Sequence, residues 1–487
     1  MIRVDSQSDD DDEYDPTATS GANHNTAVEV KAATSPQQLA PVETSSIVDA
    51  PSGFVAPMGG GVELWPFTPF PLYTHAHGKA VNSVACDPSG QYLLSGGRDG
   101  AIAMWDVKQL LTAEESGEAD HHRTSAASTH GSGFGMEAKK AAFRLPFQPT
   151  RIIQPFINRM NNSNQAIACL AWSSDSSYFV ACEDGECPVT VSKYGKVSEP
   201  FPRGQRNLLD VTKCVGHKAP VTSCTTSPLE VKKLATGSGD GSVRLWDSSN
   251  PGKGSLSVYK HGSGKLTEQL QVNGITFLDK SKLLSSGSDG TVQLWDTSLP
   301  YRPGAAATTI RLGASGAGVV VVPRREDHIG VRAEDGSLRI YDLRAVRERK
   351  LGPNAEMECL VRHDGLPYLF DGTPLKALEL PDGSVRLVTV TRSLKLGESG
   401  TVVHVDAAEA LYPIVTSQCV APWTQTHLTA LDVCGATSQV VVGAADGAVV
   451  SLFRDTSGSA RGDGVSGSKA AWFSSWRVHR NKTQRSE

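Results

Sequence analysis

Short apolar runs separated by clusters of small and polar residues recur along most of the chain, and four of them end on an aromatic side chain followed by Asp. They are Ser95-Gly-Gly-Arg-Asp-Gly-Ala-Ile-Ala-Met-Trp105-Asp106, Thr236-Gly-Ser-Gly-Asp-Gly-Ser-Val-Arg-Leu-Trp246-Asp247, Ser286-Gly-Ser-Asp-Gly-Thr-Val-Gln-Leu-Trp295-Asp296 and Ala333-Glu-Asp-Gly-Ser-Leu-Arg-Ile-Tyr341-Asp342. Runs this short, bounded by Asp-Gly, suit β-strands joined by tight turns and are too brief for helices. Their spacing of roughly 40–60 residues matches one four-stranded sheet with its loops.

Fainter copies fill the gaps. Ile167 to Tyr194 carries Trp172 and Cys182-Glu-Asp184-Gly; Ala377 to Asp406 carries Pro381-Asp-Gly-Ser and a strand ending at Asp406; Leu428 to Asp455 carries Asp446-Gly and a strand ending at Phe453. The count reaches seven, and the pattern is the WD-repeat signature. The expected fold class is therefore all-β, a seven-bladed propeller that closes on itself so that no blade exposes an unpaired edge.

The polar residues of the repeat have a structural use. His77 and His217 open their copies, the turn residues Asp99 and Asp240 can accept from those imidazoles, and the rings also face Ser95 and Thr236 and the indoles of Trp105 and Trp246. Asp289 with Trp295, Asp335 with Tyr341, and Asp446 occupy the matching places in later copies. Such a chain fixes strand register when every member is bonded, and it is read here as structure and not as a catalytic triad.

Closure requires a strand from outside the repeats. The segment 62–75 precedes the first repeat and is expected to supply the outer strand of the last blade, in preference to its competitor Ala471 to Val478. The expected domains are an acidic, disordered tail over 1–60, a propeller over 62–456 with an insertion at 108–165, and a basic tail over 457–487. Ser6 and Ser8 precede the acidic run Asp9 to Glu13, a setting for phosphorylation by acidophilic kinases or simply a solubilising stretch. The insertion is either neutral or a docking segment carried by Phe143, Leu145 and Phe147. Lys469, Arg477, Arg480, Lys482 and Arg485 suit nuclear import or nucleic-acid contact, or a plain solvated tail.

Composition narrows the function classes. With 47 Lys and Arg against 52 Asp and Glu, a net charge of −5 gives no global attraction to nucleic acid or anionic membrane. No apolar run reaches the roughly 20 residues that span a bilayer. The nine cysteines lack a CxxC pair or a His at zinc-ligand spacing, so reduced, mostly buried thiols are expected, Cys182 and Cys187 included; no cofactor, metal or catalytic residue is assigned. Gly262-Ser-Gly-Lys265 lacks the spacing of a phosphate loop, Arg461-Gly-Asp463 has meaning only outside a cell, and Gly131 to Gly135 lacks the strand and helix of a hydrolase elbow.

Several stretches resemble the gastrulation-defective family of WD-repeat proteins, also called the WD repeat-containing protein 70 family. They are Ala76 to Gly90 with Ser95-Gly-Gly-Arg-Asp, Asn207 through His217, and Gly397 to His404 followed by Val441 to Gly447. The resemblance implies a nuclear scaffold linked to chromatin and DNA damage, acting with cullin-4 ubiquitin ligases through their DDB-type adaptor, and it implies no active site. The 108–165 insertion is longer than the family pattern leads one to expect. Tyr341-Asp342-Leu343-Arg344 independently resembles a WDxR box, in which Arg344, held by Asp342, would meet the ligase adaptor. A scaffold in ribosome biogenesis or RNA processing is the alternative, suggested by the oppositely charged tails.

Overall fold

The computed structural model describes residues 72–106, 148–158, 163–183, 185, 187–205, 207–262, 270–299, 306–325, 327–348, 358–366, 374–380, 383–391, 400–407, 415–419, 426–437 and 439–453. The tails, Ser6 and Ser8 among them, lie outside these residues, as do residues 107–147 with Phe143, Leu145 and Phe147. The 108–165 span is not all insertion, because Arg151–Ile153 is the outer strand of the first blade.

Seven antiparallel sheets form a ring, each with its first strand innermost. Blade 1 is Val81–Cys86, Tyr92–Gly97, Ile102–Asp106 and Arg151–Ile153, and blade 2 is Ile167–Trp172, Tyr178–Glu183 and Pro188–Ser192. In place of a regular fourth strand, residues 196–201 run beside the third through Ser198 N to Thr190 O (2.8 Å) and Phe201 N to Pro188 O (3.0 Å). Blades 3 to 6 begin at Val221, Val272, Gly316 and Leu375 and have four strands each. Blade 7 has Leu428–Cys434, Gln439–Ala444 and Ala448–Phe453, and its outer strand is Leu72–His75 from the other end of the propeller sequence. Leu72 faces Ser451 and His75 faces Ala448 in that pairing, which closes the ring.

The sequence places apolar residues on both faces of these strands, and the structure gives each face a partner. Leu94, Ile102 and Met104 of blade 1 pack with Ile167, Leu170 and Phe179 of blade 2. Leu93, Ala103 and Trp105 turn the other way, onto Val441, Val449 and Ala430 of blade 7. The same alternation continues around the ring, so the core is a circle of inter-blade layers among the described residues. Trp105, Trp246, Trp295 and Tyr341 all face the preceding blade.

A second device locks the blades together. In six inner strands the register shifts after the first residue, between Val81 and Ser83, Ile167 and Cys169, Val221 and Ser223, Val272 and Gly274, Gly316 and Gly318, and Leu428 and Ala430. The residue set free by a bulge is re-aimed away from its own ladder. Four of the six are polar and reach the next blade: Asn82 donates to Ile167 O (2.9 Å), Asn273 to Gly316 O (2.8 Å), Thr222 to Val272 O and Thr429 to Val81 O. Each acceptor is the first residue of the next inner strand.

The Thr222→Val variant, which keeps shape but removes the hydroxyl, should lose about 1–2 kcal/mol of stability by leaving the Val272 carbonyl short of a donor. Equilibrium denaturation of the two proteins measures this, and an unchanged midpoint would show that the inter-blade bond carries nothing.

Candidate functional site

Five blades share one turn between their second and third strands. Asp99, Asp240, Asp289, Asp335 and Asp446 each accept from the amide two residues on, at 3.1, 2.9, 3.0, 2.9 and 3.0 Å. The residue between is Gly with positive φ (Gly100, Gly241, Gly290, Gly336 and Gly447), which is why Asp-Gly recurs in the sequence.

Behind the turn lies the predicted polar chain. His217 contacts Thr236 Oγ1 through Nε2 (2.7 Å) and Asp240 through Nδ1 (3.3 Å), and Trp246 Nε1 donates to Thr236 Oγ1 at 2.8 Å. Because Thr236 accepts from the indole, its own hydroxyl proton points to Nε2, which leaves the ring proton on Nδ1 for Asp240. Burial pushes the His217 pKa down despite Asp240, keeping the ring neutral. Burial would raise Asp240, but His217, Ser242 and the Lys218 amide together hold its carboxyl far below the carboxylate range. In blade 1, His77 contacts Ser95 Oγ at 2.7 Å and Asp99 at 3.1 Å.

Sequence reading missed a third copy. His261 contacts Ser285 Oγ at 2.6 Å and Asp289 at 3.1 Å, and Trp295 Nε1 donates to Ser285 at 2.8 Å. His261 stands 28 residues before its Asp, against 22 and 23 in the other two copies, so spacing concealed it. Blade 5 departs from the pattern. Asp335 is bonded by Arg339 Nη2 at 2.6 Å, and Arg339 also donates to Ser337 Oγ and Leu312 O, both at 2.8 Å. Although burial opposes the charge, Tyr341 and Asp335 raise the Arg339 pKa. A guanidinium thus takes the place of the imidazole. In blade 6 the Gly383 turn joins the first and second strands, not the second and third as the other Asp-Gly turns do.

These chains are interior, and the exposed chemistry lies at the ends of the third strands. Asp247, Asp296 and Asp342 each accept from the amide two residues on at 2.9 Å, and the residue donating that amide is Ser249, Ser298 and Arg344 respectively. Only in blade 5, of these three, does an arginine stand there. Its Nε and Nη2 meet the two oxygens of Asp342 at 3.1 and 3.0 Å, and Asp327 lies 3.6 Å from Nε. The Arg344 side chain is 62% exposed while that of Asp342 is 17% exposed. Arg344 holds the Asp342 carboxyl below its ordinary pKa. Asp342 thus holds the guanidinium in one orientation while most of the Arg344 side chain stays exposed.

The inner strands of all seven blades line an axial cavity of about 480 Å3. On its wall, Lys376 Nζ of blade 6 lies 2.9 Å from Asp432 of the adjacent blade 7, which also accepts from the Cys86 amide at 2.7 Å. Asp432 raises the Lys376 pKa, and burial pushes the Cys86 thiol up.

A ring of seven such blades, three of them pinned by a buried His-Asp-Ser/Thr chain, is a WD-repeat β-propeller. The WD domain, G-beta repeat family matches residues 70–106, 155–189, 210–247 and 260–296, so the chain carries WD repeats over these spans. It is similar to WD repeat-containing protein 70 of Xenopus laevis (28% identical over 185 residues, 37% of this chain and 23% of the relative). The proteins of that name from Rattus norvegicus and Homo sapiens are 29% and 28% identical over 188 residues, 38% of this chain and 23% of the relative. The chain spans about a quarter of the length of the curated relatives it matches. Blades 5 to 7 lie beyond the family-matched spans, yet they share the topology of the others. WD repeats are typically interaction scaffolds, and no enzymatic family is indicated.

Asp240→Ala should cost about 2–4 kcal/mol by stranding the imidazole and the Lys218 and Ser242 amides, as denaturant unfolding will read. The depressed pKa of His217 sets a pH dependence as well. On acidification the unfolded chain protonates this residue first, so stability is full above the ordinary imidazole pKa and falls below it; the Asp240 share is lost later, below the carboxylate range. The melting temperature should therefore drop in two stages between pH 8 and pH 2, and His217→Asn should weaken the first.

Proposed function

We propose that this protein is a nuclear scaffold that presents substrates to a cullin-4 ubiquitin ligase on chromatin, with Arg344 as the contact to the ligase adaptor. The observation that carries the reading is the clamped, exposed Arg344–Asp342 fork on blade 5. A guanidinium already held in one orientation offers several donors without the entropy that an unrestrained side chain would lose on binding. A lysine at this position would keep the charge but not the bidentate hold on Asp342. The likeness to WD repeat-containing protein 70 supports a role in protein complexes, and the rigid ring leaves loop residues to choose the partners.

Affinity purification from nuclear extract tests this directly. The wild-type chain should recover the DDB-type adaptor, and Arg344→Ala and Arg344→Lys should each reduce recovery roughly tenfold or more, within the range of a charged hot spot. Equal recovery by all three proteins would remove Arg344 from the interface. Recovery of pre-ribosomal particles in place of the adaptor would overturn the ligase role itself.

A further inference from the structure

Aligned by their register, the blades reveal one place where the repeat is broken three times at once. The third residue of the inner strand faces the fifth residue of the next strand in each of six blades: Ser83 with Gly96, Cys169 with Cys182, Ser223 with Gly237, Gly274 with Ser286, Gly318 with Arg332, and Ala430 with Gly443. Glycine is required at Gly96, Gly237 and Gly443, because a Cβ there would lie within 2.5–2.6 Å of a neighbouring side chain. Blade 2 alone of the six has cysteine on both sides. The fourth inner-strand position, apolar as Val84, Leu170, Ile275, Val319 and Leu431, is Cys224 in blade 3. The three departures meet: the sulfurs of Cys169, Cys182 and Cys224 all lie within 4.8 Å of one another, at the junction of two blades.

We propose that Cys169, Cys182 and Cys224 bind one soft, thiophilic metal ion, a cuprous ion, through three thiolates. Three sulfurs held about 2.3 Å from a central ion in one plane stand about 4.0 Å apart, so each sulfur here needs to move by no more than about half an ångström. The ligands are all sulfur, which selects monovalent copper or zinc over magnesium, calcium or manganese. No fourth His, Cys, Asp or Glu joins the group among the described residues, which favours a three-coordinate ion over tetrahedral zinc. Cys182 is fully buried, while Cys169 and Cys224 line the axial cavity, which gives the ion an entry path. On binding, the three thiols release three protons and no electron is transferred. The bound group carries net negative charge, and the ammonium of Lys376 on the same cavity offsets part of it.

The test uses the reduced full-length protein, titrated with cuprous ion under anaerobic conditions in competition with bicinchoninate. One copper per chain should be retained, with an absorption spectrum at the copper edge showing three sulfurs at about 2.3 Å. Cys182→Ser and Cys224→Ser should each weaken retention at least roughly tenfold, a loss that changes even outside the ligand shell can cause, while Cys187→Ala and Cys214→Ala leave it unchanged. Should a serine variant fail to fold, alkylation of the wild type decides: copper should protect Cys169 and Cys224 from iodoacetamide and leave Cys86, on the same cavity, unprotected. Copper retention indifferent to these substitutions, absence of selective protection, or zinc held with a fourth oxygen ligand would each overturn the proposal.

Discussion

A sheet that is apolar on both faces is unstable alone in water, and the blades of this protein are sheets of that kind. Leu93 looks toward blade 7 while its neighbour Leu94 looks toward blade 2, so removing either blade bares a full layer of side chains. Each fully buried aliphatic or aromatic residue contributes roughly 1.5–3 kcal/mol by leaving water, and no open arrangement of seven such sheets collects that gain at both ends. Closure is therefore the condition on which the rest depends. The pairing of Leu72–His75 with Ala448–Phe453 meets it by making one blade from both ends of the propeller sequence.

Polar groups then decide the geometry that apolar contact leaves loose. The buried His-Asp-Ser/Thr chains fix the turn against its own blade in blades 1, 3 and 4, and the bulged Asn82, Thr222, Asn273 and Thr429 fix four of the seven blades against the next. Burial and hydrogen bonding act together here: His217 stays neutral because it is buried, and because it is neutral Nε2 can accept from Thr236 while Nδ1 donates to Asp240. Against so regular a frame, local departures from the repeat stand out, such as Arg344 where two other blades have Ser249 and Ser298.

The frame was legible in the sequence wherever a short local pattern encodes it. Asp-Gly turns and strands ending in Trp-Asp are local, so the all-β propeller and its count of blades could be read directly. Residues whose partners are set by distance along the chain were harder. His261 was hidden by a longer connection to Asp289, Arg339 by taking over an imidazole's place, and the outer strand Arg151–Ile153 by the long connection before it. The bulge residues carry no signature, because a polar residue at one inner-strand position looks like ordinary alternation until register is known. Cys169, Cys182 and Cys224 were invisible for a further reason: they lie on three strands of two blades, and their proximity exists only once the ring has closed.

Ring closure is tested most directly by an engineered cross-link. Thr74 and Val449 are register partners across the closing pair, so the Thr74→Cys/Val449→Cys protein joins the two ends of the propeller if the ring is real. Mild oxidation should give a monomeric product with an intramolecular disulfide and a raised melting temperature, because a bridge across so long a stretch of chain restricts the unfolded state, by about 6 kcal/mol in the chain-entropy picture. Only intermolecular disulfides, or a monomeric bridge that leaves the melting temperature where it was, would contradict the closed seven-bladed ring.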